Sequence, residues 1–517
     1  QSAAVLIEQA SDVENKTNVC LNEDKERGEA CTKFIHSSLP HLKGSFTVDD
    51  AIDSCGFGKF QWIIAAVFAL SLVASATEIM MLPILPLSLE CEWGLTPFEQ
   101  SLSSASVFIG WLVASPIWGI VCDKYGRRKG LLLASITGFV FGILTVFSPS
   151  FYVFLALRVA VGFAVAGLAQ SVTLATEFLP TSSRAQSLTV LKCFWAFGAA
   201  LEAGIALVIL PSLGWRWLVG FSALPLALFG VCCWWLPESV RFDIAQGRMI
   251  EARATLDRIA ELNGVSLPEG ELIHQRKEET VELDQKTLRE KDLEKEEKQP
   301  ECSEGLLHPK HRRTSIQLWT LWILSGFLYY GLTVYTPILL ETSFQNSTAI
   351  QEETRVKRST QSTCKLLSTE TYVDIVVTTM SEAPGYILAT YIIDRIGRRA
   401  TLAVGYGVYA ASWIALLFPV PRFVQVSILF VIRSAIANSS QTAYIYTSEV
   451  YPTSLRAQGL GMAGGLCRFG AMAAPVVTQV FASINLIFPP IIFTIVGIGA
   501  AACSILFPIE TKGRLMK

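Results

Sequence analysis

"DKYGRRKG", Asp123–Gly130, stands between two long apolar runs, and "DRIGRRA", Asp394–Ala400, stands in the same setting later in the chain. Charge beside hydrocarbon is costly, so its return needs a reason. Two other stretches supply one. "EFLPTSSRAQS", beginning at Glu177, recurs as "EVYPTSLRAQG" at Glu449, and Glu238 of "PESVR" returns as Glu510 of "PIETKGR". The three offsets are 271, 272 and 272 residues. Three motifs at one spacing mark an internal duplication.

The 517 residues are 51% hydrophobic and only 17% charged, against roughly 25% charged in ordinary soluble domains. Apolar runs recur at about the length that crosses a bilayer, ~20 residues. The class is a polytopic all-α membrane protein. Polar breaks divide the apolar runs into twelve spans, approximately 61–89, 98–121, 130–148, 151–177, 186–211 and 215–236, then 316–341, 371–393, 400–418, 422–448, 457–482 and 486–507. The expected architecture is twelve transmembrane helices in two pseudo-symmetric six-helix bundles, an arrangement used by secondary transporters.

Basic residues orient the spans. Lys124, Arg127, Arg128, Lys129, Arg312, Arg313, Arg395, Arg398 and Arg399 lie in loops 2–3, 6–7 and 8–9, whereas loops 1–2, 3–4 and 11–12 hold no Lys or Arg. Both termini are then expected in the cytoplasm. The polar, mixed-charge first forty residues read as lacking a cleavable signal. The expected division is a cytoplasmic N-terminal segment (1–59), a first bundle (60–236), a cytoplasmic linker with short helices and a charged tail (237–314), a second bundle (315–508) and a cytoplasmic tail (509–517). The tail of the linker, "HQRKEETVELDQKTLREKDLEKEEKQPE", interleaves acids and bases with almost no apolar face, as a solvated helix or disordered linker does.

The octets, "PESVR" and "PIETKGR" resemble the major facilitator superfamily, over about Phe46 to Arg514. "FTVDDAIDSCGFGKFQW" (46–62), "CEWGL" (91–95), "SVTLATEFLP" (171–180), "PSLGWRWL" (211–218) and "YYGL" (329–332) are similar to its synaptic-vesicle-two-related branch. Ser75 departs from that branch, which often has an acid three residues before the glutamate of span 1. The resemblance implies that Asp123, Arg127, Arg128, Glu177, Arg184 and Glu238 act in gating, as do Asp394, Arg398, Arg399, Glu449, Arg456 and Glu510. Asp123 and Asp394 sit where a carboxylate could meet a helix N-terminus, and the arginines suit bidentate pairing with acids of other helices.

Ionisable residues within spans are Glu78, Arg158, Glu202, Glu382, Arg433 and Arg468. Each costs about 2.5–3.5 kcal/mol in hydrocarbon unless it faces a cavity or a partner. Glu78, Glu202, Glu382 and Arg468 are candidate substrate-cavity residues, and Arg158 and Arg433 read as structural. Trp195 of "CFWAFG" and Trp322, Tyr329 and Tyr330 of "LWILSGFLYYG" are candidate walls for a flat solute.

No nucleotide loop, zinc set or nucleophile motif appears in the sequence, so no enzyme and no cofactor is expected. The expected function is alternating-access transport of a small organic solute, charged or aromatic, across a vesicle or plasma membrane. The expected partners are that solute and membrane lipid around a monomer, with H+ as a candidate coupling ion and no nucleic acid. The competing expectation is a receptor or vesicle-trafficking protein that keeps the fold without turnover.

Cys91 and Cys364 are the cysteines in lumenal loops, where an oxidising compartment would permit a disulfide. Of three sequons, Asn15-Lys16-Thr17 falls on the cytoplasmic side and Asn438-Ser439-Ser440 inside a span, leaving Asn346-Ser347-Thr348 in a lumenal loop. Asn346→Gln should therefore abolish any glycosidase-sensitive gel shift. A shift that survives the substitution inverts the assigned orientation.

Overall fold

The computed structural model describes residues 45–268, 270–273, 305–352 and 367–512. Cys364 and most of the charged linker tail lie outside these residues, as does the side chain of Asn346. The described regular structure is helical except for one parallel ladder, β1 (Ser45–Phe46) on β2 (Glu271–Leu272).

The first half comprises α1 (Val48–Cys55), α2 (Lys59–Met80), α3 (Leu85–Trp93), α4 (Pro97–Tyr125), α5 (Arg127–Val146), α6 (Phe151–Leu168), α7 (Gln170–Phe178), α8 (Arg184–Leu213), α9 (Trp215–Ser222) and α10 (Leu224–Cys233). Two linker helices follow, α11 (Val240–Ala245) and α12 (Met249–Asn263). The second half comprises α13 (Pro309–Glu352), α14 (Thr369–Met380), α15 (Glu382–Ile396), α16 (Arg398–Ala415), α17 (Arg422–Val450) and α18 (Thr453–Val476). A π-helical turn (Val477–Phe481), α19 (Ala482–Ile484) and α20 (Phe488–Ile505) complete it.

Ten helical stretches among the described residues are long and apolar enough to cross a membrane. The other two of the twelve spans fail that test for visible reasons. The eighth is split into α14 and α15 at Ser381, where Pro384 removes a donor from the first turn of α15 and the Ser381 hydroxyl turns back to Thr378 O at 2.6 Å. The ninth, α16, is diluted by Arg398, Arg399, glycines and tyrosines.

Local chemistry starts the helices where the chain needs them. Thr96 caps α4 by accepting from Glu99 N at 3.3 Å, the Glu99 carboxylate accepts from Thr96 N at 2.9 Å, and Pro97 occupies the first helical turn. Spans 2 and 4 then cross closely. A Cβ on Gly110 would lie 1.9 Å from Val159 O, and one on Gly162 would lie 2.0 Å from Val107 O.

The duplication is physical as well as sequential. In the first half Glu238 accepts from Arg128 N at 3.0 Å, at the start of α5; in the second half Glu510 accepts from Arg398 N at 3.0 Å and Arg399 N at 3.1 Å, at the start of α16. Arg127 pairs with Glu177 at 2.6 Å, and Arg398 pairs with Glu449 at 2.8 Å. Ser239 donates to Glu177, and Thr511 donates to Glu449. Partial burial opposes ionisation of Glu510, but backbone N–H groups of Arg398, Arg399, Lys512 and Thr511 outweigh it and hold the carboxyl below its ordinary value. Its contribution is therefore present above the ordinary carboxylate range and is lost as the pH falls through the lowered value.

The face of the molecule that carries both octets is termed the octet face. At the opposite face two distant motifs meet. Glu92 of "CEWGL" accepts from Trp215 Nε1 at 2.6 Å and from the two terminal nitrogens of Arg216 at 2.6 and 2.7 Å. These bonds, Arg216 first, hold the Glu92 carboxyl below its usual range against a smaller effect of burial. The neighbouring Cys91 is disulfide-bonded, and its partner is outside the described residues.

Gly126 and Gly397 turn the chain into these capped helices at φ +105° and +89°. A Cβ at Gly126 would lie 2.4 Å from a Glu238 carboxylate oxygen. Gly126→Ala should destabilise the protein by about 1–3 kcal/mol from backbone strain alone, with a further loss from the displaced cap. Thermal unfolding in detergent measures this, and Gly119→Ala, where an added Cβ meets nothing within 4 Å, is the matched control.

Candidate functional site

The halves meet where α4 packs on α18 and where α8 packs on α14 and α15. Between them lies a cavity of about 390 Å³. Its walls are mainly aromatic. Trp195 of α8 donates from Nε1 to Tyr329 Oη of α13 at 2.9 Å, and Tyr329 Oη donates to Glu382 Oε2 at 3.0 Å. Trp322 Nε1 donates to Thr447 Oγ1 at 3.0 Å, which fixes the ring on the cavity wall. Tyr330 packs on Phe108 of α4 with centroids 4.4 Å apart. These contacts cross between halves or lie beside the crossing, so the cavity is a seam rather than the core of one bundle.

Arg468 of α18 lies over Trp111 of α4, 3.7 Å from the ring centroid, and donates to Tyr330 Oη at 2.8 Å. The aromatic face attracts the guanidinium without neutralising its charge. Glu382 sits one step behind the wall. It is buried at the break between α14 and α15, accepts from Tyr386 Oη at 3.5 Å, and pairs with Arg433 of α17 at 3.4 Å. Arg433 also donates to Thr379 and, at 3.4 Å, to Thr333 Oγ1. That carboxylate already has its cation.

Trp195, Trp322, Tyr329, Tyr330 and Arg468 thus line one cavity. Glu78 and Glu202 lie elsewhere. Both are fully buried inside the first half, where Glu78 pairs with Arg158 at 3.1 Å and Glu202 accepts from Ser222 Oγ at 2.6 Å. One oxygen of each has no hydrogen-bond partner among the described residues. Ser75, one turn from Glu78, does face the cavity, with its hydroxyl donating to Ser71 O at 3.0 Å.

Of the residues expected to gate, Glu177, Glu238, Glu449 and Glu510 hold arginines or helix ends within their own halves. Arg128 also bonds Cys233 O at 3.2 Å, and Arg399 reaches Ile505 O. Asp123 and Asp394 do not meet a helix N-terminus. Asp123 is exposed, Asp394 pairs among the described residues with Arg398 at 3.3 Å, and the helix ends expected for them are taken by Glu238 and Glu510. The physical reason is position, since each aspartate lies in the last turn of a helix and points along its exposed side. Arg184 reaches Asp49 at 3.5 Å and Leu179 O at 3.2 Å. Arg456 is half-buried near the start of α18.

The relation to known proteins follows this geometry. A profile described as Major Facilitator Superfamily matches residues 67–353. The synaptic vesicle 2-related protein of Xenopus laevis is 40% identical over 470 residues, covering 91% of this chain and 82% of the relative. The chain belongs to the major facilitator superfamily. It is also similar to organic cation/carnitine transporter 7 of Arabidopsis thaliana, 32% identical over 489 residues with 91% and 95% of the two chains covered. The Escherichia coli xylose transporter XylE in its inward-open conformation has the same fold, with TM-score 0.65, 16% identity, and 88% and 98% of the chains covered. The superfamily and its transporter-named members point to a non-enzymatic transporter and a multi-pass membrane protein.

Sequence reading missed Trp111, Lys192, Tyr386 and Tyr444 as cavity residues. Lys192 carried a signal, a lysine inside the apolar run 186–211. The aromatics carried none, because facing across a seam has no one-dimensional signature.

Removing one partner of the Glu78–Arg158 pair strands a buried charge. Glu78→Ala should cost roughly 3–5 kcal/mol. Glu78→Gln combined with Arg158→Gln should recover part of that loss. Thermal unfolding of the three proteins in one detergent tests the pairing, and an unaltered Glu78→Ala protein would refute it.

Proposed function

We propose that this protein is an alternating-access carrier of a small organic solute, charged or aromatic, in a vesicle or plasma membrane. The observation that carries the reading is the aromatic cavity at the seam of the halves, with Arg468 on its wall. A seam cavity can be exposed to one side and then the other if the two rigid halves rock about it. The duplicated cap and ion-pair sets favour rigid halves, because each closes within its own bundle.

The octet face is assigned to the cytoplasm on its lysines and arginines, which puts both termini there. The cavity lining reaches Tyr444 and Leu460, near the octet-face ends of α17 and α18. The conformation is accordingly taken as inward-facing. The vesicle assignment rests on the relatives' name. H+ stays a candidate coupling ion, with Glu78, Glu202 and Glu382 as the buried carboxyls available to it.

Gly464 gives a clean test. It lines the cavity, and an added Cβ there meets nothing within 4 Å. Gly464→Trp should fill the cavity and abolish solute uptake into proteoliposomes, with or without a pH gradient, while Gly464→Ala retains it. Both should reach the membrane normally. Uptake that survives Gly464→Trp refutes this cavity as the path. Binding without uptake of any solute, in either gradient, would favour the receptor or trafficking reading.

A further inference from the structure

Lys192 sits on α8 with its Nζ 4.6 Å from the centroid of the Tyr444 ring, across the seam on α17. It lines the same cavity as Arg468. It has no hydrogen bond or ion pair among the described residues. Among the described residues no aspartate or glutamate belongs to the cavity lining, and the carboxylate just behind the wall, Glu382, is matched by Arg433. Arg468 has aromatic partners only, and its Nε has no hydrogen-bond partner among the described residues.

Among the described residues the cavity therefore presents two positive charges with no opposing carboxylate. In a membrane-embedded site such charges are costly until something neutralises them. Aromatic faces lower that cost without cancelling the charge. Lys192 lies eight residues beyond the octet-face end of α8, and Arg468 fifteen beyond that of α18. At ~1.5 Å per residue their backbones lie roughly 12 and 22 Å along their helices from the octet face, so the two side chains leave their helices at different levels. Trp195, Trp322 and Tyr329 line the same cavity with flat apolar surface.

We propose that the solute is an organic dianion, with two singly charged acidic groups such as carboxylates on a flat apolar body, bound between Lys192 and Arg468. This deepens the carrier reading and rests on it. Lys192, nearer the octet face, meets the solute first from that side, and Arg468 takes the deeper acidic group. A cation would face two like charges, and a neutral solute would leave both unneutralised.

The test uses the full chain purified in detergent, with quenching of tryptophan fluorescence as the binding signal. The probes are terephthalate, 4-sulfobenzoate, benzoate, tetraethylammonium and xylose. One or both dianions should bind at least about tenfold more tightly than benzoate, the scale of one charge-assisted contact. Lys192→Gln should erase that advantage, leaving dianion and benzoate within about twofold of each other on the same scale. Lys192→Arg should restore it, which a merely structural lysine would not do. Arg468→Ala should weaken all anions. The proposal is overturned if benzoate matches the dianions on the native protein, if Lys192→Gln leaves the preference intact, if tetraethylammonium or xylose binds best, or if no probe binds. Uptake in proteoliposomes separates the two ideas: Lys192-dependent dianion binding without any uptake sinks the carrier reading alone. Uptake of a cation or sugar blocked by Gly464→Trp sinks the dianion alone.

Discussion

The structure depends on a carboxylate held at the N-terminus of a membrane helix. Glu238 does this for α5 and Glu510 for α16. Free N–H groups at a helix start need acceptors, and near a bilayer the alternatives to water are few. Each carboxylate comes from the chain that follows the sixth span of its half, so each cap ties the end of a bundle to its middle. The glycine before the capped helix is part of the device, because a Cβ would overlap the carboxylate at Gly126 and crowd it at Gly397. The arginine pairs beside it, with Glu177 and Glu449, add a second tie to the fourth span of each half.

Rigidity placed within the halves leaves the seam between them to softer contacts. There the described residues offer a tilted ring pair, a tyrosine–tryptophan hydrogen bond and cations on aromatic faces. Such contacts are weak singly, about 0.5–1.5 kcal/mol for an aromatic pair beyond its buried area. They can be remade in a second arrangement at little cost. The buried ion pairs, Glu78–Arg158 and Glu382–Arg433, are a different material. Breaking one in a low-dielectric interior is expensive, so they suit holding helices within a bundle.

The break between α14 and α15 shows how one local feature serves the site. Pro384 and Ser381 interrupt the eighth span, and Glu382 falls at the interruption, within reach of Tyr329, Tyr386 and Arg433. Irregular backbone at membrane depth is tolerated where protein surrounds it. Here it turns a carboxylate toward the back of the cavity wall and orders the tyrosine that the tryptophan of the other half grips.

The repeat, the twelve spans and the superfamily were legible in one dimension, because apolar run length and motif spacing are themselves one-dimensional quantities. So was the aromatic character of the cavity, since Trp322, Tyr329 and Tyr330 share a helix whose period is known. Which acid meets which base was not. Sequence put Asp123 and Asp394 at helix ends, while tertiary packing gave those ends to Glu238 and Glu510, which arrive from far along the chain. Glu78 and Glu202 read as cavity residues because they are charged and within spans. Which face of a nearly uniformly apolar helix points inward is set by its neighbours, and those neighbours turn both glutamates into the core of the first half. Lys192 is the converse case. Its charge was plain in the sequence, but only the approach of α17 from the other half shows that it faces the seam and meets an aromatic ring there instead of an acid.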